Sequence, residues 1–125
     1  MITRRRLVVG FVLAAALVDN GIAAQPLEPL QADWEKMFQL TWEVSPRAGR
    51  PRLIGKIRNI STSGATQIQL LVEQLDSAER PVAQQIAWLS TNINAGDSDF
   101  FDVPVADRAA AYRVRVYAFT RKFEC

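Results

Sequence analysis

Apolar and polar residues alternate with a period of two through most of the chain after Met37. This period places every second side chain on the same face of an extended strand, so each alternating run predicts a strand with one buried face. Pro, Gly, Asn and Ser cluster between the runs, which is typical of turns. The residues predicted to define the inward faces of six successive strands are Phe38, Leu40, Trp42 and Val44; Leu53, Gly55 and Ile57; Ile68, Leu70 and Val72; Val82, Gln84, Ile86 and Trp88; Phe101, Val103 and Val105; and Tyr112, Val114, Val116 and Ala118.

The fold class follows from what lies between these strands. No long segment repeats at the 3.6-residue spacing of a helix, so no crossover helix is expected and neighbouring strands should be antiparallel. Six to seven strands, each with one apolar face, predict an all-β fold, specifically an immunoglobulin-like antiparallel β-sandwich over residues 37–125. A small closed barrel is the alternative.

The first 24 residues have the three parts of a signal peptide. Arginines occupy positions 4–6, an uncharged apolar run fills positions 7–18, and Asp19 follows that run. Because a run of this length is shorter than the roughly 20 residues that span a bilayer, we predict a signal peptide over residues 1–24, cleaved after Ala24 or Ala23. An uncleaved anchor is the alternative, and the general secretory and twin-arginine routes both remain open.

A short Pro-containing leader over residues 25–36 connects the signal peptide to the first strand. Pro26 and Pro29 each fix their own φ and bias the preceding residue away from the helical region. We therefore predict an extended, solvated segment, whose second half either forms one helical turn or continues as an extended chain.

Charge and composition remove several functional classes. The 15 basic and 13 acidic residues give a net charge of +2, and removing residues 1–24 leaves twelve of each sign, so no basic nucleic-acid footprint remains. The chain has no His, which excludes Ser-His-Asp and Cys-His catalytic sites and His-containing zinc sites. Cys125 is the single cysteine and has no partner within the chain; it is a free thiol, an intermolecular disulfide or part of a frayed terminus.

Five residues are singled out by their positions in the pattern. Tyr112 begins the last strand and resembles the tyrosine corner of Greek-key sandwiches, so a structural role is expected. Trp42 and Trp88 share the parity of their apolar strand faces and are predicted to lie in the core. Gly55, inside a strand, indicates a bulge or the close approach of another side chain. Trp34 is either a lid over the sandwich edge or an aromatic that contacts a sugar or a partner protein.

Three carboxylates near one turn are the only candidate metal ligands. Asp97, Asp99 and Asp102 could offer oxygen atoms to calcium, but the spacing lacks the remaining positions of a calcium loop. We interpret them as solvated turn residues and expect no metal and no cofactor.

Several landmarks together resemble the FxLYD-type immunoglobulin-like domains of exported bacterial proteins. Gly55 and Asn59 precede a turn, Gly96 leads into a Phe-bearing strand, and the last strand begins with a Tyr-x-Val-x-Val sequence at Tyr112. In the motif that names the family, Asp76 is retained, whereas Val72, Gln74 and Leu75 stand at the Phe, Leu and Tyr positions. The resemblance implies an accessory or interaction module rather than an enzyme.

These observations together predict an exported, non-enzymatic domain, periplasmic or secreted, that binds another protein of the bacterial envelope through a sheet edge or a loop end. The alternative is a carbohydrate-binding module that uses Trp34 and polar loop residues. Neither a nucleic-acid partner nor a membrane span in the mature chain is expected.

Overall fold

The computed structural model of this protein describes residues 25–47, 49–105 and 109–122. The predicted signal peptide and Cys125 lie outside the described residues. One 3-10 turn, Trp34–Lys36, precedes six strands. The strands are β1 (Phe38–Arg47), β2 (Arg50–Asn59), β3 (Gly64–Leu75), β4 (Pro81–Trp88), β5 (Ser98–Pro104) and β6 (Ala111–Lys122).

The six strands form two antiparallel sheets of three strands each. The first sheet has the order β1-β2-β5 and the second has the order β4-β3-β6. Each sheet has one hairpin of consecutive strands and one strand from later in the chain, so the chain passes three times between the sheets. The predicted all-β sandwich is confirmed. Within the described residues, no helix has the length and apolar character needed to cross a membrane.

The core lies between the two sheets. Leu53, Ile57 and Phe101 contribute from the first sheet, and Ile68, Leu70, Val72, Val114 and Val116 contribute from the second. Phe38 and Phe119 join β1 to β6 through an edge-to-face ring contact, with centroids 5.1 Å apart. This contact brings together one edge strand of each sheet. We call the side of the sandwich on which β1 and β6 lie its open side.

The predicted inward face of β4 is wrong. Ala87 pairs with Leu70 and Gln85 pairs with Val72, and both partners are core residues of β3. Because residues in cross-strand register share a face, Ala87 and Gln85 face inward. Three of the residues predicted to face inward lie on the outer side of β4: Gln84, Ile86 and Trp88. The fourth, Val82, lies at the register shift of this strand.

The two strand tryptophans are also more exposed than predicted. Trp88 pairs with Gln69 on the outer face of the second sheet and is 65% exposed, so its predicted place in the core is wrong. Trp42 does lie on the inner face, opposite Gly55, but it is 37% exposed. The reason is that β1 is an edge strand, so Trp42 has a neighbouring strand on only one side.

Asn59 joins the turn after β2 to the loop before β5. Its side-chain amide donates to the carbonyls of Ser63 (2.8 Å) and Ile93 (3.0 Å), while its oxygen accepts from the backbone N–H of Ser61 (2.9 Å). Asn59 is fully buried. The Asn59-Ile60-Ser61 segment therefore forms a structural turn that the Asn59 side chain stabilises, because the amide of Asn59 is buried and already hydrogen-bonded.

Candidate functional site

Most residues of the leader are exposed, and the leader is also hydrogen-bonded to the second sheet. The backbone N–H of Leu27 donates to Oε1 of Gln84 (2.8 Å), and Nε2 of Gln84 donates back to the Leu27 carbonyl (3.0 Å). Further along, the N–H of Leu30 donates to the Tyr117 carbonyl of β6 (2.8 Å). Since Gln84 is on β4 and Tyr117 is on β6, the leader crosses the outer face of this sheet from one edge strand to the other.

A buried carboxylate lies between these two anchor points. Glu73 of β3 is fully buried and pairs in register with Gln84 on one side and Arg113 on the other. Nε of Arg113 donates to its Oε1 (2.7 Å) and Nη2 to its Oε2 (3.1 Å). Nε of Arg115 also donates to Oε1 (2.9 Å), and Nε2 of Gln84 donates to Oε2 (2.9 Å). We call Glu73, Gln84, Arg113, Arg115 and Glu28 the Glu73 cluster.

Glu28 joins this cluster from the leader. Its Oε1 lies 3.1 Å from Nη1 of Arg115, whereas Nη2 of Arg115 lies 2.9 Å from Oε1 of Glu73 without the geometry of a hydrogen bond. Two carboxylates and two guanidinium groups thus balance in charge. Glu73 is the buried member of this cluster, and Glu28, which is exposed, links the leader to it through Arg115.

The electrostatics of Glu73 are set by opposing effects. Burial is the largest effect and raises its pKa, but the hydrogen bonds from Arg113 and Gln84 and the charges of Arg115 and Arg113 together outweigh burial. The pKa of Glu73 is therefore lowered from 4.5. The hydrogen bond to Glu73 raises the pKa of Arg113 in turn. Glu73 is thus an ionised structural partner at neutral pH and not a proton donor.

A groove on the open side of the sandwich is the candidate binding site. It has a volume of about 670 Å³ and lies between β1, β6 and the segment around the 3-10 turn. We call it the Trp groove; its lining residues are Glu28, Pro29, Ala32, Trp34, Glu35, Phe38, Gln39, Leu40, Trp42, Arg113, Val114 and Arg115. Apolar side chains from β1 and β6 and two tryptophans therefore share one concavity with charged and amide groups.

Trp34 reaches the Trp groove because of the 3-10 turn. The Met37 N–H donates to the Trp34 carbonyl (2.9 Å), and the Trp34 N–H donates to the Gln31 carbonyl (3.2 Å). Trp34 is half-buried, packs against the core and also lines the groove. It therefore covers the sandwich edge, and its position in the groove wall leaves contact with a sugar or a partner protein as a prediction.

The structure places the five predicted residues in four different settings. Trp34 and Trp42 come together in the Trp groove, and Trp88 lies apart from them on β4. Gly55 accommodates the ring of Phe101, whose tip would overlap with any Cβ at this position, so the predicted close approach is confirmed. The hydroxyl of Tyr112 accepts a hydrogen bond from the Ala109 N–H (3.0 Å), which is the upstream backbone contact expected of it.

Two of the three acidic turn residues, Asp99 and Asp102, have side-chain partners in the protein, and Asp97 is exposed. Asp102 pairs with Arg52 (2.6 Å), and Asp99 accepts hydrogen bonds from Thr91 and from the Phe100 N–H. Across the described ranges, no three Cys, Asp or Glu side chains approach one another closely enough to hold a metal ion.

Glu73 was missed from the sequence because its neighbours suggested a plain core strand. The signal that could have found it is a single carboxylate within the apolar run of residues 70–75, matched by alternating Arg113 and Arg115 on the last strand. Two arginines on one face of a strand need a counter-charge if that face is covered.

Comparison of the chain with protein-family models, with curated proteins and with solved structures gave no match. The FxLYD resemblance therefore depends only on the landmark residues quoted above.

Proposed function

We propose that this protein is an exported, non-enzymatic interaction module of the bacterial envelope, periplasmic or secreted, that binds an extended segment of a partner protein in the Trp groove. The observation that carries this proposal is the position of the groove between β1 and β6, each of which is the last strand of its sheet. An edge strand offers unpaired backbone donors and acceptors, so it can pair with a strand from another chain.

The leader supports this mode of binding. Its Leu30 N–H, at a bend, donates to the Tyr117 carbonyl on the edge of β6. Phe119 of the same edge donates its N–H to the side chain of Gln31 (2.9 Å). The edge of β6 therefore already forms hydrogen bonds with another segment of the chain, and residues of this strand nearer its beginning line the groove.

The strand order supports an immunoglobulin-like assignment with an incomplete second sheet. The orders β1-β2-β5 and β6-β3-β4 correspond to strands A-B-E and F-C-C′ of that arrangement. Strand G, which would pair with the free edge of β6, has no counterpart among the described residues. A partner strand added beside β6 would complete the sheet.

The side chains of the groove indicate the chemistry of the partner. Phe38, Leu40 and Val114 offer apolar contact, and Trp34 and Trp42 add large aromatic surfaces of the kind that dominate interface energies. We expect a segment with apolar residues at alternating positions, because a strand directs every second side chain to the same face.

The test is capture from a native envelope extract with the mature chain as bait, compared between variants. Trp42→Ala and Trp34→Ala should each lower the amount of the captured partner about tenfold or more, because a buried interface tryptophan contributes at least about 2 kcal/mol. Trp88→Ala is the matched control, since Trp88 is exposed and distant from the groove in the fold. Equal losses for all three variants would contradict the proposal.

A photo-crosslinking residue at Gln39 tests the location without altering either tryptophan. Gln39 lines the groove and is exposed, so a partner segment bound there should form crosslinks. The same residue placed at Val82, exposed on β4, should form none. Crosslinks from Val82 alone would move the interaction to the other side of the molecule.

The second candidate is carbohydrate binding, favoured by one specific observation. Trp34 and Trp42 line the same groove as Glu35 and Gln39, and carboxylate and amide groups beside an aromatic surface can hydrogen-bond sugar hydroxyls. A glycan panel read by tryptophan fluorescence discriminates between the candidates. A saturable change in fluorescence that is lost in Trp42→Phe and kept in Trp88→Phe would identify a sugar, not a protein segment, as the ligand of the groove.

A further inference from the structure

We propose that the outer face of the first sheet binds an anionic membrane surface. The carrying residues are Arg50, Arg52, Lys56 and Arg58 of β2 with Phe100 of β5, which we call the basic face. This site is separate from the Trp groove and does not depend on the function proposed for the groove.

The strand register gathers these residues on one surface. The four basic residues of β2 have even numbers and therefore alternate with Leu53 and Ile57, which are fully buried in the core. Phe100 pairs in register with Lys56 and thus lies beside the middle of this row. Lys56, Arg58 and Phe100 are all exposed.

The charges on this face are unbalanced, although the mature chain as a whole is neutral. Opposing carboxylates on the same face are Glu43 of β1 and Asp102 of β5, and Asp102 is paired with Arg52. Arg50, Lys56 and Arg58 form no ion pair with any residue in the described part of the chain. On the second sheet, by contrast, Glu73 and Glu28 neutralise Arg113 and Arg115. The fold therefore places three unpaired positive charges together on the basic face.

Phe100 distinguishes a lipid surface from a soluble acidic polymer. Among the large apolar side chains of the described residues it is the most exposed, at 72%. A phenylalanine among cations at a bilayer surface can insert into the interfacial region while the cations contact anionic headgroups. The outer face of a three-stranded sheet is also a broad surface that a bilayer can contact along its whole width.

Vesicle cosedimentation tests the proposal with the mature protein and two compositions, phosphatidylcholine alone and phosphatidylcholine mixed with phosphatidylglycerol. We expect binding only to the anionic vesicles, and binding should weaken as salt is raised above physiological strength. Each basic residue at such a surface changes partitioning about fivefold, so Lys56→Glu/Arg58→Glu should lower it by more than tenfold. Arg80→Glu/Lys122→Glu, the same charge change at exposed positions outside the basic face, should lower it far less.

Phe100→Ser provides the second measurement. It should lower partitioning to anionic vesicles severalfold without changing the thermal unfolding midpoint, because the side chain is exposed. Equal losses for the two charge-reversal pairs would overturn the proposal. So would undiminished vesicle binding in Phe100→Ser together with equally tight binding to poly-glutamate, since that result identifies an acidic polymer as the ligand. Trp42→Ala should leave vesicle binding unchanged, so failure here is distinguishable from failure at the Trp groove.

Discussion

At the scale of single residues, Gly55 allows an aromatic ring to pack directly against the backbone of the first sheet. It lies in register between Trp42 on β1 and Phe101 on β5, so one row of the inner face reads aromatic, glycine, aromatic. The ring of Phe101 occupies the space above Gly55, where a Cβ would also meet the backbone carbonyl of Thr41. Only glycine, which has no Cβ, leaves room for the Phe101 ring here.

Gly55→Ala should therefore destabilise the protein. The new methyl group would force both a ring and a backbone carbonyl to move, and overpacking of this kind costs about 1–3 kcal/mol. Gly64→Ala is the matched control, because a Cβ at that strand glycine would make only ordinary contacts, the nearest at 3.7 Å from Lys122. The measurement is the free energy of unfolding in urea, and equal values for the two variants would contradict this account of Gly55.

Glu73 has the opposite character, since a charged side chain is here kept fully buried. Its two carboxylate oxygens receive hydrogen bonds from Arg113, Arg115 and Gln84, so the cost of burial is offset by complete pairing. Removing the charge leaves two guanidinium groups under the leader with Glu28 as their remaining counter-charge.

The pH dependence of stability should report this arrangement. Because the folded pKa of Glu73 lies below the unfolded value of 4.5, the unfolded state takes up the proton first as pH falls, and the stabilisation present at neutral pH is lost below 4.5. Glu73→Gln should lower the free energy of unfolding by about 3 kcal/mol near neutral pH. The difference in the free energy of unfolding between Glu73→Gln and the wild type should then narrow as the pH falls below 4.5.

Urea titrations at a series of pH values measure that gap. Glu43→Gln, at an exposed carboxylate on β1, should show no comparable gap at any pH. A gap for Glu73→Gln that stayed constant down to the acid end of the series would show that packing, and not the charge of Glu73, stabilises this face.

At the scale of the elements, the two-residue period was enough to find all six strands but not to orient each one. The inward face of β2 was predicted correctly because Leu53 and Ile57 alternate with charged residues. On β4 the larger apolar residues, Ile86 and Trp88, lie on the outer face, and the small residue Ala87 faces the core. Assigning the more hydrophobic residues to the core therefore predicted the wrong inward face for β4.

The second sheet carries a buried residue on its outer face as well as on its inner face. The leader crosses that outer face, where Leu71 is fully buried and pairs in register with Ile86. A two-sided strand has no simple alternation, which is why the pattern of β3 and β4 is ambiguous. The leader's contacts with Gln84 and Tyr117 join residues far apart in sequence, and a local pattern does not reveal them.

At the scale of the whole molecule, the Trp groove illustrates the same limit. Its walls come from the segment around Trp34, from β1 and from β6, which are the beginning and the end of the described domain. Sequence reasoning singled out Trp34 as a binding candidate and placed Trp42 on the correct face. It could not bring the two together, because that requires knowing that β1 and β6 are the edge strands on one side of the sandwich.

The leader also connects the Glu73 cluster to the stability of the entire domain. Deleting residues 25–31 removes the hydrogen bonds to Gln84 and Tyr117 and uncovers Glu73. We expect the free energy of unfolding to fall by about 2–4 kcal/mol, since apolar area and several hydrogen bonds are lost. Deleting only residues 25 and 26, which precede the contacts of Leu27, should cost little.

We expect Glu73 to face solvent in the chain that lacks residues 25–31. The difference in the free energy of unfolding between the parent chain and its Glu73→Gln variant near neutral pH should therefore shrink in that shortened chain. A shortened chain as stable as the wild type, with that gap intact, would show that β6, not the leader, keeps Glu73 in its ionised, paired state.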